Sequence, residues 1–215
     1  MPRMKTELTA EDIDVALHAL DAMFGESPLL MSVAPIRFMV VGGTMAVKYF
    51  QVRSMTKDVD YLTDPNIDSD KMYRAEIRTA VQRVANQLDM EEDWFNDEVK
   101  LWIHAPKRLG LFLESVEQNI VIFQGASMTI YAARLDWQLE RKLRRITNGK
   151  QTAQSNKDIS DAVAILSYLK GDGPPLRAAD LEAMNFNGFE GSMSKGVKKV
   201  KEEYKKRFEE DGIVD

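Results

Sequence analysis

Residues Val40 to Thr63 read VVGGTMAVKYFQVRSMTKDVDYLT, and this stretch decides how the first half of the chain folds. The apolar, partly β-branched run Ile36 to Val41 predicts a buried strand. It ends in Gly42-Gly43, and Thr44 is placed to cap a helix from Met45 to Gln51. Lys57 to Leu62 predicts a second strand, closed by the turn residues Thr63-Asp64-Pro65-Asn66. Within it Asp58 and Asp60 stand two apart, so both carboxylates project from one face while Val59 and Tyr61 pack behind them.

Each half of this stretch has a chemical reading and a structural one. A glycine pair between a strand and a helix offers a phosphate free backbone N–H groups and a favourable dipole; the alternative is a tight turn that needs positive φ. Paired carboxylates repel one another unless a cation neutralises them, the arrangement that metal-dependent phosphoryl transfer uses; the alternative is the polar edge of an amphipathic strand. Gly43 and Asp58 are 15 positions apart. That leaves room for a short helix and a return into the adjacent strand, which brings both ends of the stretch to the same edge of a sheet.

Composition narrows the chemistry. The chain has 215 residues, 44% of them hydrophobic and 29% charged, as expected for one packed domain or a core with an appendage. There are no cysteines and only two histidines, His18 and His104. Disulfides, thiolate metal sites, a cysteine nucleophile and a multi-histidine metal site are therefore excluded. A metal would be held mainly by carboxylates, which favours Mg2+ or Mn2+. The net charge of -5 argues against a surface devoted to nucleic acid. The N-terminal stretch MPRMKTELTAEDIDVALHAL is studded with acids and has no apolar signal core. No run approaches a membrane span, so a cytoplasmic protein without a membrane partner is expected.

Outside the central stretch, Thr9 and Asp12 have the spacing of a capping box ahead of a helix from Ala10 to Phe24. Gly25 to Pro35 reads as loop. A long helix is expected from Ser69 to Leu88, with Met72, Ile77, Ala80, Val81 and Val84 inward. Glu91 to Asp97 reads as an exposed acidic segment. Val99 to Ile103, Leu111 to Leu113, Asn119 to Phe123 and Met128 to Tyr131 read as further strands or a strand–helix mixture. From Leu135 the pattern turns helical, with a polar loop at Thr147 to Asn156, a helix over Lys157 to Leu169, a Gly/Pro linker at Gly171 to Pro175 and a charged helix from Ser194 to Glu210. The expected organisation is a core over 1–133, a helical region over 134–170, and a linker with a charged helix over 171–215.

The glycine pair followed by Arg53, Thr56, Asp58 and Asp60 resembles the first motif of polymerase-β-like nucleotidyltransferases. The likeness is nearest to the abortive-infection type used as bacterial toxins and to their fungal and bacterial relatives. Lys142 and the run Lys157-Asp158-Ile159-Ser160-Asp161 resemble a second, weaker motif of that family, and together the two span about Ile36 to Leu169. The resemblance implies an α/β (α+β) fold, a mixed sheet flanked by helices and followed by a helical C-terminal region. It implies Mg2+ on Asp58 and Asp60, and a nucleoside triphosphate whose phosphates lie by Gly42, Gly43 and Thr44. Arg53 would contact phosphate or hold the loop ahead of Asp58, and Lys142 would serve phosphate or the catalytic region. For Lys142 with Asp158 and Asp161 the alternative is an ion pair between two helices.

One departure qualifies that reading. Complete members of the family carry a third carboxylate on a later strand, and no aspartate between Val99 and Tyr131 stands in such a context. Glu117 is the best substitute and Glu114 the next; each also reads as a surface glutamate. Arg134, Arg141, Lys142, Arg144 and Arg145 form a basic cluster that suits triphosphate or RNA, or simply a solvated helix face. The expected activity is transfer of a nucleoside monophosphate from an NTP to an acceptor, with tRNA, a protein side chain, an antibiotic and a small metabolite all open. The alternative is an inactive nucleotide- or partner-binding module on the same fold.

Overall fold

The computed structural model describes residues 4–149 and 153–215. Helix α1 spans Ala10–Glu26 and begins with the expected capping box: the Thr9 side chain accepts from the Asp12 amide while Asp12 accepts from the Thr9 amide. A short helix α2 (Pro28–Met31) lies in the stretch expected to be loop. Strand β1 (Ile36–Val40) leads into the glycine pair, and β2 (Val59–Thr63) returns from it. Then follow α3 (Pro65–Asp68) and α4 (Lys71–Gln87), β3 (Phe95–Asn96), two 3-10 turns over Glu98–Trp102 and Ala105–Lys107, α5 (Arg108–Gln118), β4 (Val121–Gln124) and β5 (Met128–Ala132).

The five strands form one sheet in the order β3-β2-β1-β5-β4. The β1–β2 and β4–β5 pairs are antiparallel, and the β1–β5 and β2–β3 pairs are parallel. Aromatic rings fill one face: Phe38 meets Tyr61 and Phe95 edge-on, Tyr61 stacks on Phe95 at 4.1 Å, and Phe24 of α1 lies against Phe38. On the other face α5 sets Ser115 against Met39 and Phe112 beneath the Arg37 guanidinium. This is the mixed α/β class expected, a mixed sheet with flanking helices followed by a helical C-terminal region.

Several expectations change. The single helix expected from Ser69 is two: Pro65 starts α3 under an Asp64 cap, and Asp70 caps α4 separately. Met72, expected inward, is 63% exposed because it stands in the first turn of α4. The acidic segment Glu91 to Asp97 supplies the sheet's edge strand, with Trp94 and Phe95 buried and the Trp94 indole N–H donating to the Val81 carbonyl. Leu111 to Leu113 lies in a helix, whereas Val121–Gln124 and Met128–Ala132 are strands.

The chain divides into two compact units, one ending at Arg134 and one beginning at Leu135. The second contains α6 (Leu135–Asn148), α7 (Ala153–Lys170), α8 (Ala178–Glu182) and α9 (Ser194–Phe208), with a small parallel pair β6 (Leu176–Arg177) and β7 (Ile213–Val214). The expected polar loop at Thr147 to Asn156 is shorter, because α6 runs to Asn148 and α7 starts at Ala153; residues 150–152 lie outside the described residues. The charged helix beyond the linker packs on α6 and α7 through Val197, Val200 and Tyr204. Among the described residues no helix is long and apolar enough to cross a membrane.

Candidate functional site

Gly42 and Asp60 come together where β1 ends and β2 begins. Val40 pairs with Tyr61, and the Val41 amide donates to the Asp60 carbonyl at 3.2 Å. Gly42 therefore stands beside Asp60. Its φ of +68° requires glycine, and a Cβ built there would lie 3.5 Å from Asp60 Oδ2. Alternation along β2 puts Asp60 on the face of Met39 and Leu62, opposite the aromatic face. Asp58 precedes the strand rather than lying in it.

Gly43 is glycine for a different reason. A Cβ on it would overlap the Thr56 hydroxyl and stand 2.8 Å from Thr56 Cβ. Thr56 is fixed from both sides: its backbone bridges to Leu8 and its hydroxyl donates to the Asp58 carbonyl at 3.3 Å. The glycine pair, Thr56, Asp58 and Asp60 are thus one packed unit, and both glycines serve its geometry.

The helix expected after Gly43 is a π-helical turn, Met45–Tyr49, closed by the Phe50 amide on the Met45 carbonyl at 2.9 Å. Such turns recur at functional sites. Its wide winding alters the role of Thr44, which is itself helical and makes no capping bond. The Thr44 hydroxyl is fully buried and has no hydrogen-bond partner among the described residues. Gln51, expected to be the last helical residue, takes a left-handed φ of 54°. Arg53 is half-buried, and its amide donates to the Ala46 carbonyl at 3.3 Å.

Burial raises the Asp58 carboxyl above the usual aspartate range, and Asp93 and Glu98 raise it further; Lys57 opposes them. β3 explains this neighbourhood. It pairs Phe95 with Val59 and Asn96 with Asp60, so the acidic segment flanks the two aspartates. The sequence reads as an exposed acidic segment here, whereas the structure makes part of it the edge strand. The signal was the adjacent pair Trp94-Phe95, too apolar for a solvated run. Glu117 and Glu114, the expected third carboxylates, sit exposed on helix α5, where Glu114 pairs with Arg134 at 2.6 Å. Among the described residues no three His, Asp or Glu side chains stand together closely enough to hold a metal ion. The donor chemistry of Asp58 and Asp60 does fit a hard divalent cation, and crowding by Asp93 and Glu98 is what such a cation would relieve.

In the second unit, Lys142 is buried and pairs with Asp161 and, at 3.1 Å, with Asp158, joining α6 to α7. Arg145 also reaches Asp158, at 2.7 Å. Burial draws the Lys142 ammonium below the usual lysine range, against the pull of Asp161. The rest of the basic cluster is engaged as well. Arg144 pairs with the fully buried Glu140 and donates to the Met184 carbonyl, Glu140 accepts from the Phe186 amide, and Arg141 lies over the Phe189 ring. Neither a solvated face nor an open phosphate surface describes these residues; they tie α6 to α7 and to the segment before α9.

Comparison with known proteins adds one assignment. Residues 39–211 match the family described as Domain of unknown function (DUF7582). The chain belongs to that family. The matched region starts in β1 and ends beyond α9, so it takes in the glycine pair, both aspartates and the Lys142 ion-pair network. No curated protein and no solved structure matches the chain.

Proposed function

We propose that the first unit binds a nucleoside triphosphate with Mg2+ or Mn2+ at Asp58 and Asp60 and transfers its nucleoside monophosphate to an acceptor. The single observation that carries this reading is the convergence of Gly42 and Asp60 at the paired ends of β1 and β2, with Asp58 two residues before Asp60 in the chain. Gly42 and Asp60 meet at the ends of two central strands, where triphosphate and cation would bind together. The bound cation would neutralise phosphate charge as it builds up on the leaving group. In the reaction an acceptor hydroxyl attacks the α-phosphorus and the bond to the bridging oxygen breaks. Pyrophosphate departs, and the hydroxyl proton passes to solvent. Asp58 and Asp60 orient the charged end of the nucleotide, so positioning and neutralisation supply most of the rate.

A specific observation favours a second reading, nucleotide binding without turnover: the two aspartates have no third carboxylate joined to them in a metal-holding group among the described residues. Incubation with α-labelled NTPs and Mg2+ separates the two. Release of pyrophosphate that disappears in Asp58→Asn and Asp60→Asn supports the enzyme. Stabilisation by NTP without release supports the binding module. A protein that neither binds nor transfers any NTP contradicts both.

A further inference from the structure

Beside the sheet edge, on the aromatic face and apart from Asp60, the first unit carries a groove of about 960 Å3. Tyr61 and Phe95 form its floor, and its two walls carry opposite charge. One wall is α4, which presents Lys71, Arg74 and Arg78 at helical spacing. The other is the segment around β3, which presents Glu92, Asp93 and Glu98. Lys100 is satisfied within the groove by Asp68 and Asp97. Arg74 and Arg108 are turned onto backbone carbonyls.

The remaining charges face solvent. Lys71 and Arg78 on one wall, and Glu92, Asp93 and Glu98 on the other, make no ion pair among the described residues, although both walls line the same space. The groove holds them apart. An occupant that bridged it would need an anion toward α4 and a cation toward β3. Polyanions fail this test, because the Glu92–Glu98 wall repels phosphate. The outer strand of the sheet borders the groove, since β3 pairs with β2 on one side only. β3 is only two residues long, Phe95–Asn96, so the charged walls rather than backbone pairing would select the occupant.

We propose that this groove binds an extended polypeptide segment of a partner protein that carries both acidic and basic side chains. The segment lies along β3, with acidic side chains toward Lys71 and Arg78 and basic side chains toward Glu92 and its neighbours. The groove's floor, Tyr61 and Phe95, lies on the face of the sheet opposite Asp60.

The test is selection of a random peptide library displayed on phage against the full-length protein without nucleotide. Enriched peptides are expected to carry both signs of charge. They should bind about tenfold or more weakly to the double variant Lys71→Glu with Arg78→Glu, and likewise to Glu92→Lys. All three side chains are exposed, so circular dichroism should report unchanged folding in both variants. Asp60→Asn should leave peptide binding intact. The proposal is overturned by three outcomes: no enrichment, enriched peptides that bind both groove variants as well as the unmodified protein, or a random RNA pool that binds this groove in their place.

Discussion

Thr56 occupies the space that a side chain on Gly43 would fill, and its hydroxyl donates to the Asp58 carbonyl at 3.3 Å. The second glycine is therefore a packing partner of the threonine, and through it holds the approach to the two aspartates. Gly43→Ala should overpack this contact and cost about 1–3 kcal/mol. Adding Thr56→Ala to Gly43→Ala, which removes the hydroxyl that the new methyl would overlap, should recover part of that loss in thermal melts. Equal stability of Gly43→Ala and the unmodified protein would show that the contact is slack.

Asp58 gives a pH-dependent prediction. Its folded-state pKa is raised, by burial first and then by Asp93 and Glu98. Between the unfolded and folded values the native state holds more protons, so this group's contribution to stability falls as pH rises through that window. Asp58→Asn should therefore raise the melting temperature at neutral pH, and the advantage should vanish below the usual aspartate range. Mg2+ should stabilise the unmodified protein and leave the variant unmoved.

Lys142 in the second unit compensates two buried carboxylates, Asp158 and Asp161. Lys142→Met leaves Asp161 without that cation and Asp158 with Arg145, and should cost about 3–5 kcal/mol. Adding Asp161→Asn should restore much of the stability in denaturant titrations. A Lys142→Met protein as stable as the original would remove the ion pair from the account of this unit.

Asp21 anchors a turn far from it in sequence. Its carboxylate accepts from the amides of Ala126, Ser127 and Met128 at 2.8–3.0 Å, fixing the β4–β5 turn onto α1. Asp21→Ala leaves those donors without the carboxylate and should destabilise by about 2 kcal/mol. Amide exchange in β4 and β5 should accelerate ahead of exchange in β1.

How much of this was legible in the sequence follows from the range of the forces involved. β1, the glycine turn and β2 were readable because each is fixed by local pattern: an apolar run, a pair of glycines, an alternation of two. The capping box of α1 was readable for the same reason. The edge strand β3 was not, since Phe95 and Asn96 are two residues in an acidic run and acquire their strand character only by pairing with Val59 and Asp60. The π-helical turn escaped notice because nothing in Met45–Tyr49 distinguishes it from an α-helical pattern. The basic residues of α6 suggested a surface, and only tertiary partners such as Glu140, Asp158 and Asp161 reveal them as internal ties.

The proposal that Asp58 and Asp60 hold a cation beside a triphosphate is tested most directly by calorimetric titration of NTPs into the protein with and without Mg2+. The account predicts binding that needs Mg2+ and is lost in Asp60→Asn, whose amide keeps the shape of the side chain beside Gly42 and removes its charge. Absence of binding by every NTP, or binding undiminished by Asp60→Asn, would contradict it.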